Sequence, residues 1–479
     1  MRIVANVNAI RSFISVLGLS VALASQSTPD RVLVGYWHNW GFPNVLQLTA
    51  IPDAYDVINI SFATPTVPLG STMQFAPFSG AYPNSQDFVN DVATLQAAGK
   101  KVIISIGGGA DPVHVDSPAA AQAFASSMLS IITTYGFDGI DIDLEGSSLL
   151  LAVGDTNFQA PTTPRVVHFI SGMNQLLAQL PPNFMLTAAP ETAMVQGGMS
   201  AYAGVWGAYL PVLHAFHSRF NWIQVQHYNT GSMFARDGNI YSPATEDFHV
   251  AMADSLIGGF TAASGIALAP FAPHQVVIGL PASPSAAGSG QTAPTIVHTA
   301  LDRLILGEPS AGYQLADPNG YPNFRGVMTW SINWDVHAGE SFSQPHREYL
   351  DSVFLDVDMA SISQATGGTA TFSLTAGRAN AGRGHMLIIG FTGTSPGTPL
   401  PGGVTLPLNI DGLSSIVLNP AFASIFSGFL GTLDNDGEAT AQLVLPPIAG
   451  LAGLPLSFAY TLDAPWDFAS TSAHVVIAP

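Results

Sequence analysis

No cysteine occurs in the 479 residues, which excludes disulfides, thiolate metal sites and a lipid-modified cysteine; stability has to come from a packed core. Lysine is nearly absent too: Lys100 and Lys101 stand alone, charged residues make up 9% of the chain, and the formal net charge is -19. Without a basic run nothing neutralises phosphates, so nucleic acid is not an expected partner. The chain also falls short of an uninterrupted apolar run of the roughly 20 residues that a membrane span needs. Arg2 and Arg11 precede an apolar run from Ser12 to Ala24 that closes on Ala22-Leu23-Ala24. Basic segment, hydrophobic segment and small-residue cleavage site together predict a signal peptide over residues 1–24 and a secreted mature protein without a membrane span. The other long apolar stretch, Leu256 to Pro281, is broken by Pro270, Pro273 and His274 and reads as loop plus buried strand.

What the chain does have is 47% hydrophobic residues with abundant glycine and proline, the mark of a globular, turn-rich protein. Its length calls for two domains. Eight short apolar runs recur at Arg31–Trp37, Tyr55–Ala63, Lys101–Gly107, Phe137–Glu145, Phe184–Glu191, Asn221–Tyr228, Gln275–Pro281 and Gly326–Ile332, with helical periodicity between them. Several are nearly continuous Val, Ile and Leu, as strands buried on both faces must be. Eight such strands predict an α/β fold, a (β/α)8 TIM barrel over residues 31–356, with a doubly wound sheet as the alternative. Ser117 with Pro118 after it marks a helix start, and Gly136 its end. Past Asp356 the texture turns to Ser, Thr, Ala and Gly, then to short alternating runs punctuated by turn residues. This predicts a linker at 357–368 and a small all-β sandwich domain at 369–479.

The densest chemistry lies in Phe137-Asp138-Gly139-Ile140-Asp141-Ile142-Asp143-Leu144-Glu145-Gly146. Strand side chains alternate, so Asp141, Asp143 and Glu145 share one face while Ile140, Ile142 and Leu144 share the other. Glu145 comes last, at the carboxyl end of the strand, where barrel active sites sit. Stacked carboxyls in a partly buried site cannot all ionise, and a retained proton is what a general acid needs. Two blander readings compete. A calcium loop would place Ala152 at its twelfth position, which cannot ligate, and a solvated strand face does not suit a chain so poor in charge. Asp138 has the opposite parity and is expected to be structural.

The four acids Asp138, Asp141, Asp143 and Glu145 resemble the Asp-x-x-Asp-x-Asp-x-Glu signature of family 18 glycoside hydrolases, the chitinase and endo-N-acetylglucosaminidase family. Ser105-Ile106-Gly107-Gly108 is similar to that family's Ser-x-Gly-Gly motif, Gln226-His227-Tyr228-Asn229 to its Gln-x-Tyr-Asn motif, and Trp330 ends the eighth run where the family places a tryptophan. The resemblance spans about residues 31–350 and leaves the C-terminal part uncovered. It implies a retaining mechanism in which the substrate's own N-acetyl oxygen is the nucleophile. Glu145 would be the acid, Asp143 would hold the acetamido N–H, Asp141 would share a proton behind it, and Tyr228 would orient the acetamido oxygen. Trp330 would form the sugar's apolar floor.

Tyr36 and Trp40 are candidates for stacking on sugar, Gly108, Gln226 and Asn229 for further substrate contacts, and Glu191 faces the cleft or caps a loop. Trp37 is core or stacks on sugar, and His227 is a satisfied histidine. No cofactor or metal is expected, and the protein is expected to be a monomer. The partner so implied is chitin or an N-acetylglucosamine oligosaccharide. The short segment Ala282–Arg325 between the last two runs implies an open cleft and endo action. An N-glycan endo-β-N-acetylglucosaminidase or a non-catalytic lectin are the alternatives. For the C-terminal domain, Tyr460, Trp466 and Phe468 permit polysaccharide binding.

Overall fold

The structure, a computed structural model, describes residues 31–377 and 380–479; the expected signal peptide over 1–24 lies outside them. Contacts divide the described chain into two units, one of residues 31–305 and 309–347, the other of 306–308 and 348–479.

The first unit is the expected barrel. Its strands are β1 (Val32–His38), β2 (Val57–Pro65), β3 (Lys101–Gly107), β4 (Gly139–Asp143), β5 (Met185–Ala188), β6 (Trp222–Gln226), β7 (Val276–Pro281) and β8 (Gly326–Trp330). Each pairs in parallel with its sequence neighbour, and β1 pairs in parallel with both β2 and β8, which closes the cylinder. Every residue of β1, β4, β5, β6 and β7 is buried, as the near-continuous apolar runs require. The barrel's interior is filled by Val32, Val34 and Tyr36 from β1, Val57, Ile103, Met185, Trp222, Val277 and Met328 from the other strands, with Phe62 and Trp330 packed on top. It is a packed core with its open chemistry confined to one end.

The connecting helices follow local signals. In Pro118–Tyr135 (α2), the second helix after Ser85–Ala97 (α1), the Ser117 hydroxyl accepts the Ala120 N–H at 3.1 Å, and Gly136 ends the helix in the left-handed conformation. Then come Pro164–Leu177 (α3), Leu210–Ala215 (α4), Glu246–Gly258 (α5), Pro294–Leu306 (α6) and Ile332–His337 (α7). The apolar stretch from Leu256 begins inside α5, so the expected loop starts only after Gly258; the helix's all-round burial had masked its period.

The second unit is all-β. One sheet orders β9 (Leu355–Val357), β11 (Gly368–Thr375), β15 (Glu438–Leu445) and β13 (Phe426–Ser427); the other orders β10 (Ser361–Ser363), β17 (Ala473–Ala478), β16 (Pro455–Leu462), β12 (Gly384–Gly390) and β14 (Leu430–Thr432). Phe372 of the first sheet meets Phe458 of the second at 4.5 Å, so the sheets share one core. The stretch 357–368, read as a linker from its Ser and Gly content, contains β10, and β9 already belongs to a sheet. Ile362 is buried between two serines, an alternation too short to stand out from the sequence. Tyr460 and Phe468 are also buried, which corrects their reading as candidate polysaccharide contacts; of the three aromatics only Trp466 is half-exposed.

The barrel closes at Gly326, whose φ is 137° and where an added Cβ would stand 2.2 Å from the Val32 carbonyl oxygen. Gly326→Ala is expected to cost more than about 3 kcal/mol, read as a depressed denaturant midpoint of the barrel transition. A midpoint equal to the parent's would contradict this packing.

Candidate functional site

At the carboxyl end of β4 the three acids stand in line. The strand stops at Asp143, and its end is gripped by Tyr209, whose hydroxyl accepts the Leu144 N–H at 2.7 Å and donates to the Ile142 carbonyl at 3.1 Å. Glu145 follows on the loop, half-buried.

Asp141 is fully buried and surrounded by donors. Its Oδ2 accepts the Tyr36 hydroxyl at 2.6 Å and the Ser105 hydroxyl at 2.7 Å; its Oδ1 accepts the Thr187 hydroxyl at 2.6 Å and the Gln224 amide at 3.1 Å. Burial pushes its carboxyl up, and the four donors pull it back part of the way. Asp143 has no such shell. Burial, then the charges of Glu145 and Asp141, drive its carboxyl well above the usual range, and it hydrogen-bonds to Glu145. Gln226 Nε2 lies across both, 3.1 Å from Asp143 Oδ1 and 3.0 Å from Glu145 Oε1, and is itself anchored on the Ala189 carbonyl at 3.0 Å. Four donors hold Asp141, while Asp143, its carboxyl driven well above the usual range, is the acid that hydrogen-bonds to Glu145.

A pocket of about 570 Å³ opens above these groups, lined among others by Glu145, Gln226, Tyr228, Asn229, Trp40 and Trp330. Tyr228 keeps its hydroxyl proton, since burial and the neighbouring acids push its ionisation far up. Trp330 forms an aromatic wall with Phe62, the rings 5.9 Å apart and 13° from parallel. Trp40 stacks at 4.2 Å on His38, which burial pulls down to about 4 and so keeps neutral. Among the described residues no group of three His, Asp or Glu side chains is arranged to hold a metal ion.

A model of "Glycosyl hydrolases family 18" matches residues 32–293. The chain belongs to glycosyl hydrolase family 18. It is 49% identical over 327 residues to chitinase D of Niallia circulans, covering 67% of this chain and 62% of that protein, so the chain spans less than two thirds of that relative's length. It is 45% identical over 353 residues to chitinase Chi52 of Paenibacillus xylanexedens, covering 73% and 67%. Among solved structures, a family GH18 chitinase from Chromobacterium violaceum superposes with a TM-score of 0.62 at 36% identity, covering 68% of this chain and 84% of that one.

Against this family-18 frame several expected contacts take other places. Tyr36 is buried beneath the site and serves Asp141; Trp37 is core, its indole N–H on the Leu46 carbonyl. Gly108 contributes its N–H to the Asp143 carbonyl at 2.7 Å, and a Cβ there would strike the Phe62 ring. Glu191 stands behind Glu145, half-buried and pushed up by burial and by that neighbour, while the Gly146 N–H partly offsets the rise. Asn229 lines the pocket and holds the 288–290 loop through the Gly288 N–H at 2.8 Å. Asp138 accepts the Val102 N–H and the Gln96 amide, a structural role as its parity implied.

Phe62, Asn39, Thr64 and Asp111 line the pocket without having been picked out. Phe62 turns inward because the pairing of β2 with β3 slips between Ile60 and Ala63, which no sequence period announces. Tyr209 reaches β4 from a distant loop and carried no signal either.

Behind Tyr228, His227 and His249 face each other through their Nδ1 atoms at 3.2 Å, and His249 Nε2 meets the Thr292 hydroxyl at 3.0 Å. Burial holds His249 down at about 4, against about 6.5 for an unfolded histidine. The unfolded chain therefore binds this proton first, so stability is full above pH 6.5 and is lost as pH falls towards 4, by about 3 kcal/mol for this residue. His249→Gln should flatten the acid limb of the melting temperature between those pH values; a limb as steep as the parent's would contradict it.

Proposed function

We propose that the chain is a secreted chitinase that cuts β-1,4 bonds of N-acetylglucosamine polymers with retention, using the substrate's acetamido group as nucleophile. The observation that carries this reading is the pair Asp143 and Glu145, hydrogen-bonded to each other and both held by Gln226, beneath a pocket lined by Trp330 and Tyr228.

A sugar seated on Trp330 brings its acetamido N–H to Asp143. Asp143 accepts that bond as a carboxylate, turning from Glu145 and leaving the proton there. Glu145 gives it to the glycosidic oxygen as the C1–O bond breaks, and the acetamido carbonyl oxygen closes on C1 to form an oxazolinium ion. Asp143, backed by Asp141, offsets the positive charge, and the Tyr228 hydroxyl donates to the acetamido oxygen to fix its line of attack. The Glu145 carboxylate then takes a proton from the water that opens the ring, which restores the starting state and the original configuration.

Chitin is favoured over an N-glycan by the names of the similar proteins, chitinases in each case reported above. A lectin reading is disfavoured by the complete acid set with Tyr228. Between β7 and β8 the segment 282–325 holds α6 and loops, with no inserted sheet to wall the cleft, which supports endo action.

With N-acetylglucosamine oligomers, the parent should release shorter oligomers that are first β-anomeric by NMR. Glu145→Gln should lose about 10²–10⁴-fold in kcat, the usual contribution of a general acid. Tyr228→Phe, missing one bond to a charged group, should lose about 10- to 100-fold. First-formed α-anomers would overturn the retaining mechanism, and undiminished turnover by Glu145→Gln would overturn its assignment.

A further inference from the structure

His227 stands between two residues of the site and takes no part in the chemistry above. Gln226 reaches the acids and Tyr228 lines the pocket, while the His227 side chain, on the opposite parity, is buried against α5. There it meets His249 Nδ1 to Nδ1 at 3.2 Å with the rings 10° from parallel, and Phe248 closes on it edge-on at 5.6 Å. His249 Nε2 lies 3.0 Å from the Thr292 hydroxyl, which in turn donates to the Gly290 carbonyl at 3.0 Å.

The proton order in this chain follows from its far end. A threonine hydroxyl has one proton, and Thr292 gives it to Gly290; the proton between Thr292 and His249 must therefore sit on His249 Nε2. Burial holds His249 at about 4, so near neutral pH the ring is uncharged, its Nδ1 is bare and it accepts from His227 Nδ1. Three buried side chains thus form one directed chain, from the end of β6 through α5 to residue 290.

Gly290 rests on the backbone of Tyr228. Its φ is 89°, and a Cβ there would stand 2.5 Å from Tyr228 Cα and 2.8 Å from the His227 carbonyl oxygen. Beside it the Ser289 carbonyl accepts the Asn229 N–H at 3.3 Å, the Gly288 N–H returns to Asn229 Oδ1 at 2.8 Å, and Asn229 has a φ of 49°. Next to Tyr228 the His227 N–H donates to the Gly279 carbonyl of β7 at 2.9 Å. The tyrosine's backbone is therefore clasped between β7 and residues 288–290, and the Thr292 hydroxyl fixes the second half of that clasp.

We infer that Thr292, oriented by the His227–His249 pair, is a positioning residue for Tyr228: it seats residues 288–290 on the tyrosine backbone and so sets where the phenol hydroxyl meets the acetamido oxygen. The inference rests on the role given to Tyr228 in the proposed mechanism. Misplacing a reacting partner by an ångström can cost about 10²-fold in rate, even when the change lies away from the chemistry. Trp330 and the acids are not touched by this chain, so substrate binding should survive a loosened Tyr228 and turnover should not.

The test uses the full-length protein and an N-acetylglucosamine tetramer, with Thr292→Val and Thr292→Ser made both in the parent and in Tyr228→Phe. Thr292→Val keeps the shape and removes the hydroxyl; kcat should fall about fivefold to twentyfold with KM within about twofold, and Thr292→Ser should recover most of the loss. In Tyr228→Phe, adding Thr292→Val should cost less than about twofold more, since the hydroxyl being positioned is already gone. Should Thr292→Val melt below the assay temperature, Thr292→Ala is read by the same criteria. An unchanged kcat, an equal fall in both backgrounds, or a fall that Thr292→Ser does not recover would overturn the inference. A parent that cuts no oligomer, or a Tyr228→Phe as active as the parent, would instead overturn the proposed mechanism, and this inference with it.

Discussion

Everything at this site depends on putting one carboxylate, Asp141, where no water reaches. Burial of a charge is affordable there because four donors from four strands, Tyr36, Ser105, Thr187 and Gln224, converge on its two oxygens. The barrel supplies that convergence: parallel strands in register bring residues far apart in sequence to one height inside the cylinder. With those donors committed to Asp141, Asp143 one step along the same face lacks them, and burial with the neighbouring acids drives its carboxyl well above the usual range.

The aromatic side of the pocket is packed within itself. Trp330, Phe62 and Trp40 pack on one another and on a neutral His38, so the wall is set by ring contacts before a sugar arrives. Gln226, holding Asp143, Glu145 and the Ala189 carbonyl at once, fixes the acids against that wall. Substrate then meets groups whose positions are already determined, which is how a few side chains supply orientation without reorganisation.

Much of this was legible in the residues. The strands of the barrel are apolar on both faces, so their runs stand out, and the period of two placed the three acids on one face without a coordinate. Where reading failed, long-range packing was the cause. Tyr36 follows a strand pattern that permits either core or cleft, and only the pairing of β1 with its neighbours sends it to Asp141. Phe62 depends on a register slip, and Tyr209 on a loop that crosses to β4. In the second unit Ile362 marks a three-residue strand too short to separate from a linker by composition, and Tyr460 and Phe468 could not be told from exposed aromatics until the two sheets were seen to close on them.

In the proposed mechanism the substrate's acetamido group, held by Asp143 and Tyr228, performs the displacement, with no side chain of the protein as nucleophile. The most direct measurement compares two chromogenic disaccharides that differ only in whether the sugar bearing the leaving group carries N-acetyl or a free amine. Rapid release is expected from the first and none above background from the second, with binding of the second still detectable. Comparable release from both would contradict it and require a nucleophile from the protein.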